Sequence, residues 1–140
     1  MLTYKTTIKL HDTDAAGLLF FANQFKIVHE AYEILFEQIG FGFAKLIRDC
    51  DFFLPIVHAQ SDYTAPLFVG DKVKVEVRLA KIGRTSFTLS YRLFNQNNKL
   101  VGTSQTVHVS VAKTTKKKIP LPPALLRVLK KVSSDRGRVW

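Results

Sequence analysis

Apolar and polar positions repeat along this chain in two rhythms, and the switches between them mark out its elements. Over residues 3–10, Tyr4, Thr6, Ile8 and Leu10 fall on one side of an extended segment and Lys5 and Lys9 on the other, the period of two of a strand with one buried face. From Asn23 the rhythm lengthens. Phe25, Val28, Tyr32, Phe36 and Ile39 recur at steps of three and four, while Lys26, Glu30, Glu33 and Glu37 lie largely on other faces, which predicts one long helix over 23–39. Asn23 or a neighbour is placed to cap its start, and Gly40 stands where a left-handed residue ends a helix.

Period two then returns. Phe53 to Ala65 is one candidate strand, and Val73, Val75, Val77 and Leu79 alternate with charged residues in a second. Phe87, Leu89, Tyr91 and Leu93 mark a third, and after the turn chemistry of Asn95 to Asn98 a Thr/Val-rich segment runs from Val101 to Val111. Pro120, Pro122 and Pro123 precede a short final helix at 124–129 and a polar tail. Strand, long helix, then four strands predicts a single α+β domain over 1–140, with an antiparallel five-stranded sheet curled around the only substantial helix. Such a sheet keeps an unpaired edge, so a homo-oligomer, a dimer at least, is expected.

Composition narrows the class. At 46% hydrophobic, with eleven Phe, the 140-residue chain is too apolar for a disordered linker and too broken by charge for a membrane span. Its one cysteine, Cys50, excludes an internal disulfide framework and a cysteine-based zinc cluster. The stretch Met1 to Lys5 carries no apolar signal core, so a cytoplasmic location is expected. The net charge of +10 is uneven: five basic and seven acidic side chains in 1–52, seven and three in 53–112, nine and one in 113–140. That distribution suits a nucleic acid, an anionic membrane or a small ligand with several phosphates, and equally a solvated tail that only aids solubility.

Several catalytic patterns are absent: no G-x-S-x-G elbow, no phosphate loop, no dinucleotide fingerprint. His29-Glu30-Ala31-Tyr32-Glu33 opens like a zinc-peptidase motif but ends in glutamate, so the second imidazole is missing. What remains is Asp12-Thr13-Asp14-Ala15-Ala16-Gly17, followed by Leu18-Leu19-Phe20-Phe21 and the predicted helix. Carboxylates beside a helix N-terminus suit acyl transfer to water: free N–H groups stabilise an oxyanion while a carboxylate activates water or attacks the carbonyl itself. The same residues also make an ordinary turn and cap.

The run from His11 to Phe25 resembles the active-site segment of hotdog-fold acyl-CoA thioesterases of the 4-hydroxybenzoyl-CoA thioesterase family, with its D-x-D-x-x-G-x-x-[FY]-[FY]-x-x-[FY] pattern. Further matches at 29–33, 51–59, 65–66, 70–71 and 117–122 look like a branch of that family acting on dihydroxynaphthoyl-CoA. The resemblance implies a hotdog fold, Asp14 as nucleophile or general base, and the Phe21 backbone N–H as the group that polarises the thioester carbonyl. It implies substrate contacts at Gly17, Phe20, Phe25, Tyr32, Ile56 and His58, although aromatic residues at helical spacing also serve as plain core. Lys81, Arg84, Lys113, Lys116, Lys117 and Lys118 become candidates for the CoA phosphates. His29, with Glu33 one turn on, and Asp12 read as structural. No metal or cofactor is implied beyond the CoA of the substrate, the implied assembly is a dimer or tetramer, and neither nucleic acid nor membrane insertion is implied. A broader short- or medium-chain acyl-CoA or acyl carrier protein thioesterase is the nearest alternative, and a nucleic-acid or anionic-surface binder is the rival of another kind.

Overall fold

The computed structural model describes residues 2–134, and the last positions of the expected polar tail lie outside them. Strand β1 (Leu2–Thr7) leads through a 3-10 turn at Leu10–Asp12 into α1 (Asn23–Gln38), then α2 (Phe43–Asp49), β2 (Phe52–Phe53), β3 (Ile56–Tyr63), β4 (Lys72–Ile82), β5 (Ser86–Phe94), β6 (Leu100–Val109), β7 (Val111–Ala112) and α3 (Pro123–Ser134). Five strands form one antiparallel sheet in the order β1-β4-β5-β6-β3, and β2 and β7 pair separately.

Cross-strand pairing carries one face of the sheet through Tyr4, Val75, Leu93 and Gly102, and through Leu79, Leu89, Thr106 and Ala59. Residues directly opposite share a face, so these rows are the inner surface. Val73, Val75, Val77 and Leu79 of β4 and Phe87, Leu89, Tyr91 and Leu93 of β5 are buried along it. Against them α1 turns Ile27, Val28, Ala31, Tyr32, Leu35 and Phe36, the three- and four-residue spacing that fixed its apolar stripe. It ends where expected: Ile39 is the C-cap, and Gly40 follows at φ +89°, a conformation that costs a residue with a Cβ but not glycine.

Four expectations need amending. α1 is the longest helix but does not cover the sheet alone, because α3 runs to Ser134 and sends Leu125 and Leu129, 0% and 1% exposed, into the same core beside β4. α2 was not foreseen. The segment expected as a strand over 53–65 is broken at Leu54-Pro55, since proline lacks the N–H a ladder needs, and the Thr/Val segment divides at Ser110. Of Asn23 and its neighbours it is Ala22 that holds the N-cap position, without a side-chain cap, and the Asn23 amide donates to the Asp12 carbonyl at 2.9 Å.

Asp12 anchors the loop that follows β1. Its side chain is 5% exposed and accepts hydrogen bonds from the Lys9 N–H at 2.8 Å and Lys26 Nζ at 3.0 Å. Burial works to raise its pKa, but the Lys9 amide and the Lys26 ammonium prevail and hold it below the ordinary carboxylate value. Stability from this ionised carboxylate is present at neutral pH and is lost as pH falls through its lowered pKa.

Candidate active site

Asp14 opens a tight loop that its own carboxylate closes. Oδ1 accepts from the Ala16 N–H at 2.9 Å and the Leu18 N–H at 3.2 Å, and the Asp14 and Leu18 backbones bond at 2.8 Å. The loop closes because Gly17 takes φ +77°, and the Gly17 carbonyl accepts from Val69 N–H, tying the loop to the chain after β3. The second carboxylate oxygen, Oδ2, has no partner among the described residues, and the side chain is exposed. One oxygen is held, and the other faces solvent with its lone pairs unused.

The head of α1 supplies the complementary chemistry. Its first turn closes tightly, with Asn23 N–H bonding to Phe20 O, Gln24 N–H to Phe21 O and Phe25 N–H to Ala22 O. Phe20 N–H is taken by the Asp12 carbonyl at 3.0 Å. The amides left without an acceptor among the described residues are those of Phe21 and Ala22, the two positions immediately before the helix. Asp14, Phe20, Phe21, Gln24, Tyr63 and Leu67 are among the residues lining a cleft of about 600 Å³ at this point, and Phe20 and Phe21 stand half exposed at its mouth with ring centroids 4.9 Å apart. Asp14, Phe21 with its free amide, and an apolar wall thus line one cleft, with the free Ala22 amide on the next residue, an arrangement able to bind a carbonyl, stabilise its oxyanion and deliver an oxygen nucleophile.

Two residues of this cleft escaped the sequence reading. Tyr63 donates its phenol O–H to the Phe21 carbonyl at 2.6 Å across 42 residues. In a trans peptide the C=O and N–H point oppositely, so this bond fixes the plane that also carries the Ala22 N–H. Tyr63→Phe is expected to lower kcat about tenfold, with KM and the melting temperature little changed, because the half-exposed ring keeps its packing while a donor loses its orientation. Steady-state kinetics beside a thermal melt checks this. Gln24, 1% exposed, sends Nε2 toward Asp62 O, Thr103 O and Ser104 Oγ at 3.2–3.3 Å and ties α1 to β3 and β6. A polar residue on the apolar face of α1 was the available signal for it.

The other predicted residues divide into three groups. Phe25, Tyr32 and Ile56 meet in a second, smaller slot of about 150 Å³ further along the seam between α1 and β3. Gly17 shapes the Asp14 loop and does not line the cleft. His58 is not brought to either cavity: the register places Ile56, Ala59, Ser61 and Tyr63 on the inner face of β3, and His58 lies on the outer face with Nε2 3.1 Å from Gln60 Oε1. The basic candidates also lie away from Asp14. Thr85 O accepts from Ser110 N–H and Arg84 O from Leu121 N–H, while Lys113 and Lys116 sit over the Phe53 ring, all at the Ile56 end of the sheet. Lys117 and Lys118 lie in the same loop, bridged to Ala112 and Val111, and Lys81 is the last residue but one of β4 there. Asp14 and its cleft belong to the Tyr63 end, seven strand positions away, roughly 23 Å at the usual rise.

The chain belongs to the thioesterase-like superfamily, whose family model matches residues 8–129. The chain is 35% identical over 136 residues to a 1,4-dihydroxy-2-naphthoyl-CoA hydrolase of Crocosphaera subtropica, covering 96% of this chain and 99% of the relative. It is 37% identical over 123 residues to the protein of that name from Synechococcus elongatus, covering 87% and 90%. The crystal structure of a 1,4-dihydroxy-2-naphthoyl-CoA thioesterase from Synechocystis superposes with a TM-score of 0.86 at 30% identity, covering 98% of both chains.

Proposed function

We propose that this protein hydrolyses an aromatic acyl-CoA thioester, 1,4-dihydroxy-2-naphthoyl-CoA, to the free acid and CoA, a step in making phylloquinone or menaquinone. The observation that carries the reading is that Asp14 and Phe21, with its unpaired amide, line one apolar cleft. The names of the relatives support the acyl group. The thioester oxygen accepts from the Phe21 N–H, with Ala22 beside it. Asp14 Oδ2 either removes a proton from an attacking water or attacks the carbonyl carbon to give a mixed anhydride that water opens. In both routes a C–O bond replaces the C–S bond, negative charge collects on the carbonyl oxygen facing the amides, and CoA leaves as thiolate and ends with the proton that water gives up, on attack in the first route and on opening the anhydride in the second. The chemistry needs no metal or further cofactor.

The working unit is a homo-oligomer, and β3 is its joining edge. β3 is the outer strand of the sheet, eight residues long and exposed over nearly its whole length, with Val57 58% exposed. Antiparallel pairing of two such edges brings the Ile56 end of one copy beside the Tyr63 end of the other. The lysine-rich loop and His58 of one copy then lie near the Asp14 cleft of its partner, which resolves the 23 Å gap within a chain. A pair of pairs gives the tetramer. In each copy the sheet wraps α1, with α3 closing the remaining core. No helix among the described residues is long and apolar enough to cross a membrane, and we place the enzyme in the cytoplasm.

Release of thiol from a panel of aromatic and aliphatic acyl-CoAs, followed with a thiol-trapping reagent, tests the function: the dihydroxynaphthoyl ester should be the best substrate, and exclusive turnover of aliphatic esters would overturn the acyl assignment. Replacing Lys116, Lys117 and Lys118 together by Ala should raise KM about tenfold for CoA thioesters and much less for pantetheine thioesters, which lack the 3′-phosphate and the nucleotide. Equal effects on both would assign these lysines another role.

A further inference from the structure

The chain before α1 folds back on itself as a miniature hairpin. Thr13 and Leu19 form an antiparallel bridge, the Asp14 N–H donates to Leu18 O at 2.8 Å, and the Phe20 N–H donates to Asp12 O at 3.0 Å. Asp14 opens the turn at the tip, and the Asp12–Phe20 bond closes the base. The next amide along the chain is that of Phe21, which lines the same cleft as Asp14. The placing of Asp14 relative to that amide therefore depends on how firmly the base of the hairpin is tied to the head of α1.

The first turn of α1 grips that base twice. Asn23 Nδ2 donates to the Asp12 carbonyl at 2.9 Å, and Lys26 Nζ, three residues on and so on the same side of the helix, donates to the Asp12 carboxylate at 3.0 Å. A carbonyl oxygen has two lone pairs, and on Asp12 the Asn23 side chain and the Phe20 N–H take both. Asn23 also reaches the oxyanion half of the site through its backbone. Its N–H donates to Phe20 O at 2.8 Å, and Phe20 O and the Phe21 N–H are the two opposed ends of one trans peptide. Any residue at this position can make the backbone bond. The bond to Asp12 needs a side-chain donor of the right reach, and with Ala22 as the N-cap the Asn23 amide is available for it.

We infer that Asn23 is a positioning residue for the hydrolysis: by tying the Asp12 carbonyl to the head of α1 it holds the Asp14 hairpin in register with the Phe21 N–H. The inference rests on the thioesterase reading and deepens it. Asn23 touches neither substrate nor reacting atoms. It acts through Asp14 and Phe21, whose joint placement matters because an oxyanion donor or nucleophile about 1 Å out of place can cost on the order of a hundredfold in rate. Binding of the CoA portion does not depend on that register, so loss of the tie is felt in kcat and spares KM. Without it the hairpin keeps its own bonds, from Asp14 to Leu18 and from Phe20 to Asp12, and the fold keeps its core; what is lost is the cross-brace between the two halves of the site.

Asn23→Ala is the test, with 1,4-dihydroxy-2-naphthoyl-CoA as substrate, thiol release as the rate and a thermal melt as the control for folding. Measured well below the melting temperature, kcat should fall about tenfold or more while KM stays within about twofold. Asn23→Ser, which suits the start of a helix but is one bond too short to reach the Asp12 carbonyl, should show the same split and stands in if the alanine variant does not fold. Unchanged kcat in a folded variant, even one with a lowered melting temperature, would overturn the inference and leave the bond as a plain anchor of the helix start. A raised KM with unchanged kcat would overturn it as well, by placing Asn23 against the substrate. Absence of turnover of any acyl-CoA by the unsubstituted enzyme would defeat the thioesterase reading, and the inference with it, whereas turnover that both variants retain in full defeats the inference alone.

Discussion

Asp14→Asn should abolish hydrolysis, with kcat falling about 10³-fold, while the fold and CoA binding persist. Asparagine keeps an oxygen where Oδ1 accepts the Ala16 and Leu18 amides at 2.9 and 3.2 Å, so the loop and its Gly17 turn remain closed. What disappears is the charge on the unheld oxygen, and with it both the base that activates water and the nucleophile that forms an anhydride. Thiol release gives the rate, calorimetry with free CoA gives the affinity, and a melting curve gives the fold. A variant with ordinary turnover would remove Asp14 from the mechanism. A variant that fails to fold would show that the carboxylate closes the loop through its charge, and Asp14→Ser, with a shorter acceptor, would then separate the two roles.

The second large effect is expected at the edge of the sheet. Val57 is 58% exposed in the single chain and lies at the irregularity that opens β3. If two β3 edges pair, Val57→Asp places an unpaired carboxylate against an apolar seam, which costs several kcal/mol and should weaken the dimer about a hundredfold or more. Sedimentation should then show monomers at micromolar concentration, and kcat/KM should fall at least tenfold, because the lysine-rich loop and the Asp14 cleft sit at opposite ends of one chain and meet only across the seam. A monomer with full activity would require the CoA phosphates to be held by other residues of the same chain. A dimer that survives would place the interface on another face.

The long helix and the clean strands were readable from the chain because their burial is one-sided. α1 presents one stripe to the sheet and begins and ends within a residue of the expected bounds, and β4 alternates valine and charge because only one of its faces is covered. β3 gave a weaker signal for the opposite reason: nearly every position is exposed in the single chain, so no alternation is imposed on it. α2 is seven residues, too short for a period to develop, and its Phe43 and Leu46 look like part of an aromatic connection. α3 was underestimated because Leu125 and Leu129 count as core only once β4 is known to lie beneath them.

The candidate site divides along similar lines. Asp14 and the Phe20-Phe21 pair are local to one loop and were visible in a single run of residues, sharpened by resemblance. Tyr63 was not, because its partner is a backbone carbonyl 42 residues away and carbonyls leave no trace in a sequence. Gln24 is a buried polar group on α1 whose partners come from β3 and β6, so only the assembled sheet shows what satisfies it. His58 was expected at the substrate from the resemblance, as a residue reaching across between subunits, and the register shift after Ile56 places it on the outer face of β3.

That shift has a consequence for how such a protein can change over time. One extra residue at the start of β3 lets Ile56 keep facing inward while Ala59, Ser61 and Tyr63 keep their own alignment with β6. The slot wall before the irregularity and the exposed edge after it can therefore vary independently: a new side chain at Ile56 reshapes the slot, and the rows that align β3 with β6 are left as they were.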